Sequence, residues 1–394
     1  MRYPAVHLLP GQDRRLRAGH PWAYSNELRM DAAAKALPPG EPVCLITADG
    51  KPLAIAQFNP HSLIAGRILT RNKDATIDAA FLERRLARAL RLRERLFDKP
   101  YYRLVHAEAD GLPGLVIDRF GGVLVCQLNS AGMERLEASL LEVLDRLLKP
   151  RAIVLRNDAP VRELEGLALG VRVAEGALDG PIELEEGGLT FLVDPIEGQK
   201  TGWYFDQREN RAFVARLARD QEVLDLYSYS AGFGLRAAAA GARGVLAIDR
   251  SQAGLDLAQS AAERNGQALR LATERQDVFG ALERLAGDKR RFGVVIADPP
   301  AFVRSKRDLK PGLHGYRKLA RASAALVAED GVLAIACCSH NVAADAFADE
   351  VRRGLRDAGR GGRLLHQAGA GPDHPVHPAL PESAYLKCLV YVLD

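Results

Sequence analysis

The 394-residue sequence has little cysteine, no long apolar run and little net charge, and each shortage narrows what the chain can be. Its five cysteines, Cys44, Cys126, Cys337, Cys338 and Cys388, are odd in number and lack the spacing of metal ligands. Such usage suits a reducing compartment, and no metal is expected. No continuous apolar stretch reaches the roughly 18 residues a membrane helix needs. The first ten residues also lack the apolar core and cleavage site of an export signal. A cytoplasmic protein with no membrane partner is expected. The formal charge of +4 is mild, but residues 1–75 hold ten Lys/Arg against six Asp/Glu. A local excess of this size fits a phosphate backbone and an ordinary solvated surface alike.

What is present is an apolar fraction of 47%, enough for real cores, and a length that implies two or three domains. Short apolar runs at 6–9, 42–47, 52–58 and 65–70, with an Asp49-Gly50 hairpin signal, predict a small β-barrel over 1–74. Within it, Arg14-Arg15-Leu-Arg17-Ala-Gly-His20-Pro21-Trp22-Ala-Tyr24 interleaves cations with aromatics. Arg14, Arg15 and Trp22 are therefore candidate RNA contacts, through phosphate pairing and base stacking. Trp22 and Tyr24 would serve equally well as core residues of a small barrel.

A second domain is expected over 75–190. It opens on a basic amphipathic helix at 76–98 and continues as an α+β unit. The spacing predicts strands at 115–118, 123–128, 152–156 and 189–193 and a helix over 133–148. The turn-rich Glu108-x-Asp110-Gly-Leu-Pro-Gly114 reads as structural.

The third domain, 191–394, is organised around Val223-Leu-Asp-Leu-Tyr-Ser-Tyr-Ser-Ala-Gly-Phe-Gly234, an apolar strand running into a glycine turn and an alanine-rich helix. Gly232 and Gly234 permit close backbone approach, and the helix start offers free N–H groups to a nucleotide. Asp249 ends the next strand, where an acid can hold a ribose. A dinucleotide and S-adenosylmethionine (SAM) both fit this pattern. Strands at 222–226, 244–248, 271–276, 293–297, 332–336 and 386–393 alternate with helices, which predicts a Rossmann-like α/β fold with a doubly wound, mostly parallel sheet. Ligands of such sheets bind beyond the carboxyl ends of the strands, where Asp225, Asp249, Asp277, Asp298 and Cys338 fall.

Upstream, Asp206 with Glu209 forms a capping pair for a helix at 211–219, in a polar stretch that can also line the cofactor site. After Asp298, Pro299 and Pro300 make a rigid corner that can hold a carboxylate and carbonyls against a planar base, with Phe302 near enough to pack on it. One strand later Cys337 and Cys338 reach the same rim. Successive strand residues face opposite ways, so one of the pair is expected in the site.

The ordered set Lys200-Thr-Gly-Trp-Tyr-Phe-Asp-Gln-Arg208, Tyr227-Ser-Tyr-Ser-Ala-Gly-Phe-Gly234, Asp298-Pro-Pro-Ala-Phe302, Cys338-Ser339 and Tyr385-Leu-Lys387 resembles the class I SAM-dependent methyltransferases of large-subunit (23S) ribosomal RNA that make 5-methylcytosine. The start of the chain resembles their PUA domain, an RNA-binding module, with His-Pro-Trp as its most specific pattern. The resemblance spans essentially the whole chain. It implies SAM as cofactor, with Asp206, Asp225, Tyr227, Ser228, Gly232, Gly234, Asp249, Asp277, Val278 and Asp298 around it, Asp249 on the ribose and Asp277 near the adenine. It implies Cys338 as the nucleophile that adds to C6 of cytosine and Asp298 as the group hydrogen-bonded to the base. It also implies ribosomal RNA as partner, contacted by Lys200, Pro299, Pro300 and Phe302. The chain departs from the pattern at Cys337, beside the nucleophile, and at His340, where a small residue is expected. His374 and His377 read as a loop near the site. The residues also admit an amino-group methyltransferase, an RNA-binding protein holding SAM without catalysis, and a nicotinamide dehydrogenase; a homodimer stays open.

Overall fold

The computed structural model describes residues 2–394. They form two compact units, the first comprising Met1–Ile182, Asp194–Trp203 and Pro372–Ser383, the second Glu183–Val193, Tyr204–Gly371 and Ala384–Asp394.

The first unit holds two five-stranded sheets. In one, the strands run in the spatial order Ala5–His7, Glu41–Ile46, Pro52–Phe58, Gly66–Thr70 and Trp22–Ala23. The Asp49-Gly50 signal makes the expected tight turn: Gly50 sits at φ +80 and Thr47 N–H donates to the Lys51 carbonyl (2.9 Å). Val6, Leu8, Leu16, Val43, Leu45 and Phe58 fill the core of this sheet. The other sheet runs Gly170–Gly176, Ala152–Asn157, Val123–Leu128, Leu115–Phe120 and Tyr101–His106. Its core takes Phe81, Leu82, Leu86 and Ala89 from the helix Ala79–Leu96, which Asp78 caps by accepting the Phe81 N–H (2.9 Å). The helix expected over 133–148 is two helices, Ala131–Arg135 and Glu137–Leu148, because the backbone at Leu136 leaves helical geometry (φ −94, ψ 4).

The second unit is built on a seven-stranded sheet: β1 (Glu222–Leu226), β2 (Gly244–Asp249), β3 (Leu271–Arg275), β4 (Phe292–Ala297), β5 (Val327–Cys337), β6 (Gly362–Ala368) and β7 (Lys387–Leu393). Their spatial order is β3-β2-β1-β4-β5-β7-β6. The first five are parallel, as the strand-helix alternation predicts, while β7 runs antiparallel to both β5 and β6. The edge strand β6 escaped prediction because most of it is exposed and shows no apolar alternation. The helices of this unit are Arg208–Ala215, ahead of β1, and then α1 (Gly232–Ala239), α2 (Gln252–Arg264), α3 (Val278–Gly287), α4 (Leu309–Ala324) and α5 (Ala344–Asp357).

Leu189–Val193, expected in the central domain, instead pairs with Ile182–Glu186. This strand belongs to the second unit, where Asn265, just past α2, grips the Thr190 backbone at both N–H and carbonyl (3.0 and 2.6 Å). No helix among the described residues is long and apolar enough to cross a membrane.

Candidate active site

Strand order reverses between β1 and β4, which pair side by side with Leu226 opposite Ala297. In a sheet of this kind the crevice beyond that point is where a ligand binds. The loop after β1 is built unusually. Tyr227, Tyr229 and Ala231 all take left-handed backbone conformations (φ +59, +49 and +53). For residues with a Cβ this costs about 1–3 kcal/mol each, and such strain concentrates at ligand clamps.

Hydrogen bonds hold the loop in this shape. Asp249, at the end of β2, accepts the Tyr229 N–H through Oδ2 (2.9 Å) and the Ser251 N–H through Oδ1 (2.8 Å). Asp225 accepts the Gly234 N–H (2.8 Å). A Cβ at position 234 would lie 3.0 Å from both Asp225 Oδ2 and Val245 Cγ1, so this helix start tolerates only glycine without rearrangement. Complete burial pushes the Asp225 carboxyl up to about 7; the Gly234 bond works against the shift, while Asp298 and Asp249 add to it. The α1 N-terminus carries no side-chain cap, and the buried Ser228 hydroxyl has no hydrogen-bond partner. A buried orphan hydroxyl costs about 1–3 kcal/mol unless a ligand meets it. Asp277 caps α3 by accepting the Gly280 N–H, its carboxylate half exposed and 3.3 Å from Arg250. Val278 buries its side chain in the core, which leaves its backbone for any ligand contact. The loop, the uncapped amides and the orphan hydroxyl fit a nucleoside carrying a charged tail.

Asp298 follows β4 directly, and its N–H approaches the Leu226 carbonyl (3.4 Å). Pro299 is buried and Pro300 exposed, and the Phe302 ring packs on Tyr316 with centroids 4.7 Å apart. Across the rim, Cys338 Sγ lies 3.8 Å from the Pro299 carbonyl oxygen and is partly exposed, whereas Cys337 is fully buried in the core. Behind them Ser339 is buried, with its hydroxyl bonded to Tyr316 (2.9 Å) and to the Val303 N–H (3.3 Å). His340 is exposed on the outer side.

Asp206 is not a helix cap. The helix it precedes is Arg208–Ala215, which begins at Gln207 without a side-chain cap, and Asp206 Oδ2 instead accepts the Tyr385 hydroxyl (2.6 Å) from 179 residues along the chain. Tyr204 stacks edge-on against Tyr229 (6.1 Å). Burial holds its hydroxyl well above the usual phenol range, and the charges of Asp298, Asp206 and Cys338 add to the shift. Tyr204, Tyr385, Ser339 and Lys387 join the predicted residues around this rim. All lie within the motifs 200–208, 338–339 and 385–387, but their roles depend on partners far along the chain, which no local pattern reports.

In the first unit, Arg14 is exposed, while Arg15 is committed to the barrel: its guanidinium pairs with both Glu27 oxygens (2.8 and 2.7 Å), meets His20 and lies over Tyr24. Trp22 donates its indole N–H to Glu108 (2.7 Å). Lys200 is exposed in a left-handed turn. His374 and His377 also belong to this unit, where His374 is buried against Asp373 (2.9 Å) and faces the His106 ring. No cluster of metal-ligating side chains occurs among the described residues.

Residues 174–391 match the model of an S-adenosylmethionine-dependent methyltransferase, and residues 6–71 that of a PUA-like domain. Ribosomal RNA large subunit methyltransferase I of Klebsiella pneumoniae (strain 342) is 37% identical over 391 residues, covering 98% of this chain and 97% of the relative. This chain belongs to that methyltransferase family. The enzyme of the same name from Pseudoalteromonas atlantica is 35% identical over 393 residues, with 98% of each chain covered. Among solved structures, SMU.776, a methyltransferase complexed with SAH, matches the fold with a TM-score of 0.85 at 18% identity over 100% of both chains. A methyltransferase from Streptococcus mutans scores 0.83, also at 18% identity, over 99% of this chain and 100% of its own. The cofactor of this methyltransferase domain is SAM, which decides between the two nucleotides that the glycine turn admitted.

Proposed function

We propose that this methyltransferase transfers the methyl group of SAM to C5 of a cytosine in 23S ribosomal RNA, through a transient bond between Cys338 Sγ and C6 of the base. The relatives' shared name supports large-subunit ribosomal RNA as substrate. The single observation that carries the cysteine chemistry is the rim itself: of five cysteines, Cys338 alone is not buried, and its thiol lies against the carbonyl that follows Asp298.

Cytosine C5 is a poor nucleophile until electrons are pushed into the ring. The Cys338 thiolate adds to C6, and the C5–C6 double bond opens to leave C5 electron-rich. Asp298, hydrogen-bonded to the base, holds C5 in line. Bound SAM supplies an electrophilic methyl group on a sulfonium. After transfer a base takes the C5 proton, the C5–C6 double bond reforms, and the S–C6 bond breaks with its electrons returning to Cys338. The strained Tyr227–Ala231 loop, Ser228 and Asp249 hold the nucleoside part of the cofactor, with Asp277 at its base. Exposed cations such as Arg14 and Lys200 meet RNA phosphates, while Arg15 and Trp22 hold the barrel in shape.

Cys338→Ala tests this reading. It is expected to abolish methyl transfer to large-subunit ribosomal RNA and to remove any covalent protein–RNA adduct, with SAM binding retained. Undiminished transfer in that variant would overturn the thiol mechanism in favour of methylation of an exocyclic amine.

A further inference from the structure

Lys387 opens β7 directly across from Cys337 in the antiparallel ladder, one residue from Cys338. It is buried, with only 9% of its surface exposed. Its ammonium donates to the backbone carbonyls of Ser339 (2.8 Å) and Tyr385 (2.9 Å), and no carboxylate among the described residues lies within ion-pair range of it. A buried cation without a counter-charge is expensive, typically by several kcal/mol, and burial accordingly lowers the Lys387 pKa. Nearby Cys337 and Cys338 act in the opposite direction, favouring the charged ammonium.

We propose that Lys387 is the positioning residue of the Cys338 nucleophile: it clamps the backbone on the far side of the thiol, and its ammonium supplies the positive charge that stabilises the thiolate. The counter-charge missing at rest is created when Cys338 ionises. The proposal rests on the cysteine chemistry above and deepens it.

The surroundings make this charge decisive. Directly after β4 comes Asp298, whose following residue, Pro299, sets its carbonyl 3.8 Å from the thiol. On β5 there is Cys337, inert in the core, and on β7 Cys388, whose thiol burial pushes up to about 12, with Asp298 adding to the effect. From α4 comes the Tyr316 hydroxyl and from the loop before Arg208–Ala215 come Tyr204 and Asp206; burial holds both tyrosines neutral. His340 is exposed to solvent beyond the strand end. Among these described groups Lys387 is the one buried cation.

Alkylation by iodoacetamide reads the thiolate directly and needs no RNA. Cys44, Cys126, Cys337 and Cys388 are buried, so the folded protein should react at Cys338 alone, which peptide mapping verifies. In the unaltered protein the midpoint of the rate-against-pH curve is expected below the ordinary thiol value of about 8.5; a midpoint at or above it overturns the proposal without any variant. Lys387→Gln keeps an amide donor for the carbonyls and removes the charge, whereas Lys387→Met removes both. Both are expected to move the midpoint up by about one unit, a roughly tenfold slower alkylation below it, with Lys387→Arg near the original. Unshifted curves in both neutral variants, or a shift in Lys387→Met alone, overturn the charge role. Failure of the cytosine reading is separate: it would show as methyl transfer by Cys338→Ala, whatever the alkylation curves do.

Discussion

The first unit and the strand-end rim of the second treat buried charge in opposite ways. In the first unit, Arg93 is wholly buried yet saturated: it pairs with both Asp110 oxygens (2.6 and 2.8 Å) and donates to the carbonyls of Asp373 and Arg103. Arg103 forks onto Asp118, and Arg67 bridges Glu108 and Glu165 through its terminal nitrogens, its buried Nε alone lacking a partner. At the rim, Asp225 has one backbone donor and a carboxyl held near neutrality, Lys387 has carbonyls but no acid, and Ser228 has nothing. Away from the rim the second unit pairs its charges too, as Arg211 does with Glu186 (2.8 and 2.7 Å). Full pairing marks scaffold. At the rim, the incomplete pairing of Asp225, Lys387 and Ser228 leaves a remainder that a ligand, or a change of protonation, can supply.

The sharpest break of this contrast is Arg93→Met. Removing one partner of a buried pair strands the other, so the first unit is expected to lose about 3–5 kcal/mol of stability in urea unfolding. A loss below 1 kcal/mol would mean that Asp110 finds water and that the pairing is not scaffold.

The next effect concerns Asp225. Its folded pKa of about 7 stands above the unfolded value of 3.8, so the folded state binds the proton more tightly. The stability it contributes is complete below about pH 4 and is lost as pH rises through about 7, at roughly 1.4 kcal/mol per pH unit. Asp225→Asn keeps an acceptor for the Gly234 N–H and cannot ionise. Measured against the unaltered protein, it should gain relative stability between pH 4 and pH 7; a difference that does not vary with pH would show that Asp225 ionises normally.

The smallest effect is the most specific. Ser228→Ala removes a hydroxyl with no partner in the protein, so thermal stability should stay within about 0.5 kcal/mol. Affinity for SAM by calorimetry should fall by about tenfold, the worth of one hydrogen bond to a ligand. Unchanged affinity would remove Ser228 from the cofactor site.

Much of the catalytic unit was legible in the sequence. Four of the five parallel strands begin and end close to where apolar runs and turns placed them, and in β1, β2 and β4 this follows because a strand buried on both faces must be nearly continuous in apolar residues. β5 starts at Val327, five residues before its expected start, because its opening stretch is polar. The strand ends then put Asp225, Asp249 and Asp298 at one rim by topology alone. The first unit was less legible: the break at Leu136 interrupts an amphipathic pattern that periodicity reads as unbroken.

Asp206 shows where local reading fails. An acid three residues before a glutamate is a helix-start signal, yet its side chain bonds Tyr385, and no local pattern reports a partner that distant. Lys387 is the same case with more at stake, since a lysine at the head of a strand reads as solvent-facing.

The sequence by itself determined the strand order's raw material, the cofactor turn and the presence of a cysteine pair at a strand end, because periodicity and turn chemistry are properties of neighbours. Only the tertiary structure decided that Cys337 is core and Cys338 rim, that Asp206 meets Tyr385, and that the Lys387 ammonium lies buried against the Ser339 carbonyl. Those outcomes depend on which face packs inward and on the β5–β7 register, and both are settled by contacts between segments far apart in the chain.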